Sequence, residues 1–134
     1  MQVLWPGCRI INPTLYKYVD KLSSYLYIPA VKPLEFVGSS LDDLRNFPAE
    51  ARRVAGFELT FVQQGLMPSD WKPLKKVGSG AVELRIHVLG EWRIVYVAKF
   101  ADAVYVLHAF QKKTQKTRQE DLELARKRYQ EIGN

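Results

Sequence analysis

The stretch from Ala81 to Arg118 constrains the fold most. It reads AVELRIHVLGEWRIVYVAKFADAVYVLHAFQKKTQKTR, three β-rich runs in succession closed by a basic cluster. In Ala81 to Val88, the residues Val82, Leu84, Ile86 and Val88 alternate with Glu83, Arg85 and His87, the period of a strand with one apolar face. After a turn at Gly90, the run from Trp92 to Lys99 sets Trp92, Ile94, Tyr96 and Ala98 against Arg93, Val95, Val97 and Lys99. The third run, Ala103 to Phe110, is almost wholly apolar, as expected of a strand covered on both sides. Connections this short predict antiparallel pairing. Arg85 and Arg93 sit on the polar faces, and Lys112, Lys113, Lys116 and Arg118 follow the last run. A sheet edged in this way suits a phosphodiester. The same residues also fit an ordinary solvated basic edge, in which Glu83 and Glu91 neutralise Arg85 and Arg93.

Upstream, Leu34 to Val37 predicts a short strand. Ser40 to Asp43 has the form of a capping box for a helix that runs to Asn46 and stops at Phe47-Pro48. Pro48 suits the first turn of a second helix, Ala49 to Gln64, closed by Gly65 as a left-handed cap. Val54, Phe57, Phe61 and Leu66 form its expected core stripe, with Arg45, Arg52 and Arg53 outside. Pro68 to Gly80 reads as a loop carrying Trp71, Lys72, Lys75 and Lys76. Thr117 and Glu120 form a second capping box, opening a helix with Leu122, Ala125, Tyr129 and Ile132 on one face. The order β-α-α-β-β-β-α predicts an α+β domain with helices on one face of a small antiparallel sheet.

Residues 1–30 differ from the remainder: they hold four of the seven tyrosines and one acid, Asp20. Thr14 to Tyr27 has helical spacing at Leu15, Val19, Leu22 and Leu26, and Pro29 and Pro33 punctuate a boundary. This segment is expected to be an N-terminal extension, with the functional domain at 31–134.

The 134 residues suffice for one domain with its own core, and the 47% hydrophobic and 25% charged fractions are ordinary for a globular chain. Twenty Lys and Arg against fourteen Asp and Glu give a net charge of +6, which favours an anionic partner. The lone Cys8 forms no internal disulfide, and no apolar run reaches spanning length, so a reducing cytoplasmic setting away from the membrane is expected. Two histidines, His87 and His108, and one distant cysteine supply no zinc ligand set, and no phosphate-binding glycine motif is present, so neither metal nor cofactor is expected. What remains is phosphodiester chemistry run by side chains. Cleaving RNA through its own 2′-OH requires a base for the hydroxyl proton, cations for the phosphorane and an acid for the leaving oxygen. Arg suits the second task, a Lys crowded by cations or His108 the others. His108 equally reads as a sheet-face histidine satisfied by hydrogen bonds. Trp92, Tyr96 and Phe110 lie near the cations and offer base-stacking rings or core packing.

The combination WKPLKKVGSGAVELRI, GEWRIVYVAKF and AVYVLHAFQKKTQKT, in that order, closely resembles the phage-derived branch of the RelE/HigB toxins of type II toxin–antitoxin modules. The resemblance covers about Lys32 to Ile132 and implies a RelE-like fold. It further implies an endoribonuclease that cleaves mRNA, often at the ribosome, and that is held inactive by an adjacent antitoxin, acidic or helix-turn-helix in type. The family's working cations lie on the second strand, at the start of the third and just after the last. These positions match Arg85, Arg93, Lys112 and Lys113 here, with His108 at the histidine common in the HigB-like branch. Lys72, Lys75 and Lys76, with Lys116 and Arg118, are then expected to guide the RNA backbone. Two positions depart from RelE itself. Glu83 and a single Arg85 stand where RelE has lysines, and no tyrosine matches its catalytic one, since Tyr129 lies too far along the helix. The resemblance therefore leaves the general base unassigned. The fold is shared with ParE gyrase poisons, so a toxin that acts by binding is the alternative. The branch also begins at Met-Lys-Pro, which places Val31-Lys32-Pro33 at the expected start of the native domain.

Overall fold

A computed structural model describes residues 31–133; the expectations for residues 1–30, a helix among them, lie outside the described residues. The chain forms β1 (Leu34–Phe36), α1 (Ser40–Arg45), α2 (Ala49–Gln63), β2 (Trp71–Pro73), β3 (Ala81–Ile86), β4 (Trp92–Val97), β5 (Val104–Gln111) and α3 (Gln119–Ile132). The α+β order read from the sequence holds, with one addition. Trp71–Pro73 is a strand inside the expected loop, paired antiparallel to β3. At three residues it is too short to show a period, and Pro73 limits it to an edge.

The five strands are ordered β1-β5-β4-β3-β2. β2 to β5 pair antiparallel as expected, and β1 lies parallel to β5 along Leu34↔Val104 and Phe36↔Val106. A bulge shifts the β4–β5 register, so that Val95 faces His108 while Tyr96 faces Val106.

The helices do not share one face. α1 and α2 cover Leu84, Ile86, Trp92, Ile94, Tyr96, Val104 and Val106 with Leu44, Phe47, Ala51, Ala55, Leu59 and Val62. α3 covers the other face, packing Leu122 and Ala125 on Ala81, Val95 and Leu107. Every residue of β4 is consequently buried. The reason was present in the strand itself: Val95 and Val97 share a face with Arg93, and two valines there need a cover.

The α2 stripe is also rotated from the expected one. Ala51, Ala55, Leu59 and Val62 face the sheet, whereas Phe57 is 63% and Leu66 53% exposed. Both stripes have helical spacing, and the alanines prevail because they let the helix lie close to the strands. The helix ends as predicted. Gly65 adopts φ 87°, and the Leu66 and Gly65 amides bond the carbonyls of Phe61 and Val62. The capping boxes do not form. Ser39 stands at the N-cap position of α1 but turns its hydroxyl to the Asp43 carboxylate at 2.9 Å, and the Ser40 hydroxyl is buried and donates to the Val106 carbonyl at 3.0 Å. Arg118 takes the cap position of α3, because Thr117 Oγ1 is drawn to Glu83 Oε2 at 3.0 Å.

Two further polar anchors fix the frame. Ser69 donates through its amide and its hydroxyl to the two oxygens of buried Glu58, at 2.8 and 2.7 Å. Arg128, on α3, donates to the Leu107 carbonyl at 2.8 Å and to Ser39 Oγ at 3.0 Å. α3 is thereby tied to the bulged strand that carries His108.

Candidate nucleic-acid interface

The register of the strands decides which side chains meet. Arg85 lies directly opposite Arg93, Glu83 opposite Val95, Arg93 opposite Phe110 and Lys72 opposite Glu83. All of these therefore share the α3 side of the sheet, beyond the first turn of that helix. Two arginines in direct register repel unless they are neutralised. Glu83 does this from a side chain only 1% exposed: its Oε1 lies 3.8 Å from Arg85 Nε, 3.9 Å from Arg93 Nε and 3.8 Å from Lys72 Nζ. None of the three is a hydrogen bond, so the carboxylate acts on them through charge.

The outer ends of the arginines are also occupied. Arg93 Nη1 donates to Glu91 Oε1 at 3.1 Å and to the Trp92 carbonyl at 3.0 Å, and its side chain is 6% exposed. Arg85, 32% exposed, pairs with Asp70 at 3.5 Å. His87 bridges the two acids, Nδ1 to Glu91 and Nε2 to Asp70. Hydrogen bonding to Asp70, and next to Glu91, raises the His87 pKa, and the same bonds hold both carboxyls below their usual range. The ion-pair reading of Arg85 and Arg93 is thus realised in the folded chain.

The lysines are arranged differently. Lys72, Lys75, Lys76, Lys112 and Lys116 line one groove of about 610 Å³ between β2 and the segment leading into α3. Thr117 and Leu122 complete its floor, and no carboxylate lines it among the described residues. Lys112 is fixed at the end of β5 by its amide, which bonds the Glu91 carbonyl at 2.7 Å. It also lines an adjoining depression of about 310 Å³ with Phe110, Lys113, Arg118 and Asp121.

His108 lines neither of these hollows but reaches a third, of about 360 Å³, with Trp92, Phe110, Arg118 and Asp121. It is buried, its Nε2 meets Asp121 Oδ1 at 2.8 Å, its ring stacks on Phe110 at 4.7 Å, and its Nδ1 has no hydrogen-bond partner. Asp121 uses its other oxygen to accept from Arg118 Nε at 3.2 Å. The structure thus gathers Lys72, Lys75, Lys76, Lys112 and Lys116, sets Lys113 and Arg118 beside them, ties Arg85 and Arg93 into a charge network, and stacks His108 on Phe110. Sequence reasoning missed Asp70, Thr117 and Asp121. Asp121 stands in the first turn of α3, where an acid is favoured by the helix dipole without any partner. The pairing of Lys72 with Glu83 depends on the short strand β2.

A family model described as phage-derived protein Gp49-like matches residues 42–130, which include every candidate residue named above. The chain belongs to the Gp49-like family. That family falls within the RelE/HigB-like superfamily of toxin–antitoxin toxins, so an antitoxin is the partner it implies. No curated protein matches the chain. The mixed sheet, helical hairpin and C-terminal helix of this Gp49-like protein agree with a RelE-like fold. No helix among the described residues is long and apolar enough to cross a membrane.

Proposed function

We propose that this Gp49-like protein is an endoribonuclease toxin that cleaves translated mRNA at the ribosome. Its antitoxin, in this reading, is of helix-turn-helix type. The observation that carries the reading is the lysine groove: five cations facing one channel with no acid among them. Lys72 shares the Glu83 carboxylate with the arginines, whereas Lys75, Lys76, Lys112 and Lys116 have charge to spend on a polyanion. In the proposed reaction the 2′-oxygen attacks the adjacent phosphorus as its proton passes to a base. The bond to the 5′-oxygen breaks and that oxygen takes a proton, leaving a 2′,3′-cyclic phosphate and a 5′-hydroxyl. Lys112, at the junction of the groove and the depression, and Lys113, in the depression, meet the charge that builds on the phosphorane, and Arg85 is assigned to the same task. Arg93, balanced by Glu83 and Glu91, is assigned the part of holding the sheet face beneath them. His108, which reaches a neighbouring hollow of about 360 Å³, is assigned a supporting position, held between Asp121 and the Phe110 ring.

A second reading has one observation in its favour. The pairing of Arg85 and Arg93 with Glu83, Glu91 and Asp70 also suits a toxin that acts by docking alone, such as a gyrase poison. Inducing wild type and Lys112→Gln in cells and mapping transcript 5′ ends separates the two. New ends inside translated frames, with wild type only, are expected. Growth arrest with intact transcripts overturns the nuclease reading. Lys112 is preferred to Arg93 for this test because it bears on no buried charge.

A further inference from the structure

Three aromatic rings lie near the cations, and the fold sorts them. Trp92 is buried against Phe47 and donates to the Val88 carbonyl, and Tyr96 is 1% exposed within the core. Trp92 and Tyr96 reach other hollows, and Phe110 alone of the three lines the depression of about 310 Å³ that holds Lys112, Lys113 and Arg118.

We propose that this depression is a nucleobase subsite, in which the Phe110 ring stacks on one base of a single-stranded RNA whose backbone follows the lysine groove. The inference rests on the reading of that groove as an RNA channel. Lys112 lines both hollows, so a strand held at its ammonium has one direction along the lysines and another into the depression. The floor is rigid. The His108 imidazole backs the Phe110 ring at an interplanar angle of 24°, and His108 is itself held by buried Asp121. A ring that cannot turn away loses little entropy when a base stacks on it. The rim is polar and oriented, because Asp121 Oδ2 accepts from Arg118 Nε at 3.2 Å while Glu120 holds Arg118 Nη1 at 3.0 Å. A fixed guanidinium beside an aromatic floor offers both elements of base recognition, a stacking face and donors to the base edge.

The test is binding of the full chain to a short single-stranded oligoribonucleotide. The oligonucleotide carries 2′-O-methyl groups throughout, so that it is not cleaved, and binding is followed by fluorescence anisotropy. A series with one abasic residue at each position scans the strand. At one position the abasic residue is expected to weaken wild-type binding by about tenfold, the scale of one base–aromatic stack. Phe110→Leu, which keeps an apolar side chain of similar size for the α3 core, is expected to abolish that difference while leaving the salt dependence of binding unchanged. Arg118→Gln, a rim change outside the core, is expected to reduce the difference. Wild type that binds the oligonucleotides without any abasic-sensitive position, or Phe110→Leu that keeps the sensitivity, overturns the subsite and leaves the RNA channel standing, with the ring then free for protein contact. Wild type that binds none of them overturns the channel as well.

Discussion

Replacing Glu83 by Gln probes the charge balance beneath the candidate site. The substitution keeps the side-chain volume and a partner for Thr117, so what changes is one buried negative charge. Around it stand Arg93, with a side chain 6% exposed, Arg85 at 32% and Lys72 at 44%, all within 3.9 Å. Water compensates Lys72 and much of Arg85, but it reaches Arg93 poorly. Breaking a buried pair by removing one partner costs about 3–5 kcal/mol. Glu91 still holds Arg93, and no hydrogen bond to Glu83 is lost from the three cations, so the low end of about 3 kcal/mol applies. For a domain of this size that lowers Tm by roughly 10 °C. Glu91→Gln, at a side chain 45% exposed, serves as the comparison and is expected to cost under about 1 kcal/mol. Thermal denaturation at neutral pH, followed by circular dichroism, reads both. If Glu83→Gln melts within about 2 °C of Glu91→Gln, the carboxylate does not neutralise the opposed arginines. A cluster that tolerates its loss would also weaken the view that Arg85 and Arg93 are held internally.

Three further outcomes are expected. Leu59→Ala, on the sheet face of α2, should cost about 2–5 kcal/mol, whereas Phe57→Ser, on its exposed face, should stay within about 0.5 kcal/mol; chemical denaturation that reverses this order refutes the observed rotation of the helix. Gly78→Ala should destabilise by about 1–3 kcal/mol, because its Cβ would fall 2.6 Å from Tyr129 Cζ, and a Tm equal to wild type would count against that close approach. The His87 bridge should contribute below the ordinary histidine value of 6.5 and fade as pH rises through its raised pKa, while its carboxyl side is lost as pH falls through the lowered values of Asp70 and Glu91. The Tm difference between wild type and His87→Gln should therefore peak at about pH 5–6 and shrink by about pH 8, staying under about 1 kcal/mol at this half-exposed site, and a difference independent of pH refutes it.

The strands and helices were legible because their periods are long enough to count. β3 shows alternation over six residues and α3 a clean stripe at Leu122, Ala125 and Tyr129, so both could be placed within a residue or two. The lysines at 72, 75, 76, 112 and 116 could be named but not gathered, since their convergence depends on β2 and on the path of the chain into α3. Capping boxes misled because a hydroxyl that reads as a local cap has distant rivals: Ser40 bonds Val106 and Thr117 bonds Glu83. His108 is the clearest limit. Its partner Asp121 lies in a different element, and the bulge in the strand that carries His108 leaves no trace in local residue types.

The place of β5 has a consequence for synthesis. It is the last strand made, yet it sits inside the sheet, joined to β1 on one side and β4 on the other. Ser40, at the start of α1, reaches its Val106 partner across 66 positions of chain. A nascent chain that ends before Val104 therefore holds β4 with an open lateral edge and Ile94 and Tyr96 only half enclosed, while β1 has nothing to pair with. Maturation is concentrated in one late event. As β5 emerges it closes the seam, completes the face covered by α1 and α2 and carries Phe110 and Lys112 into position, and α3, made last, covers the other face, so that no truncated product short of that strand holds an assembled interface.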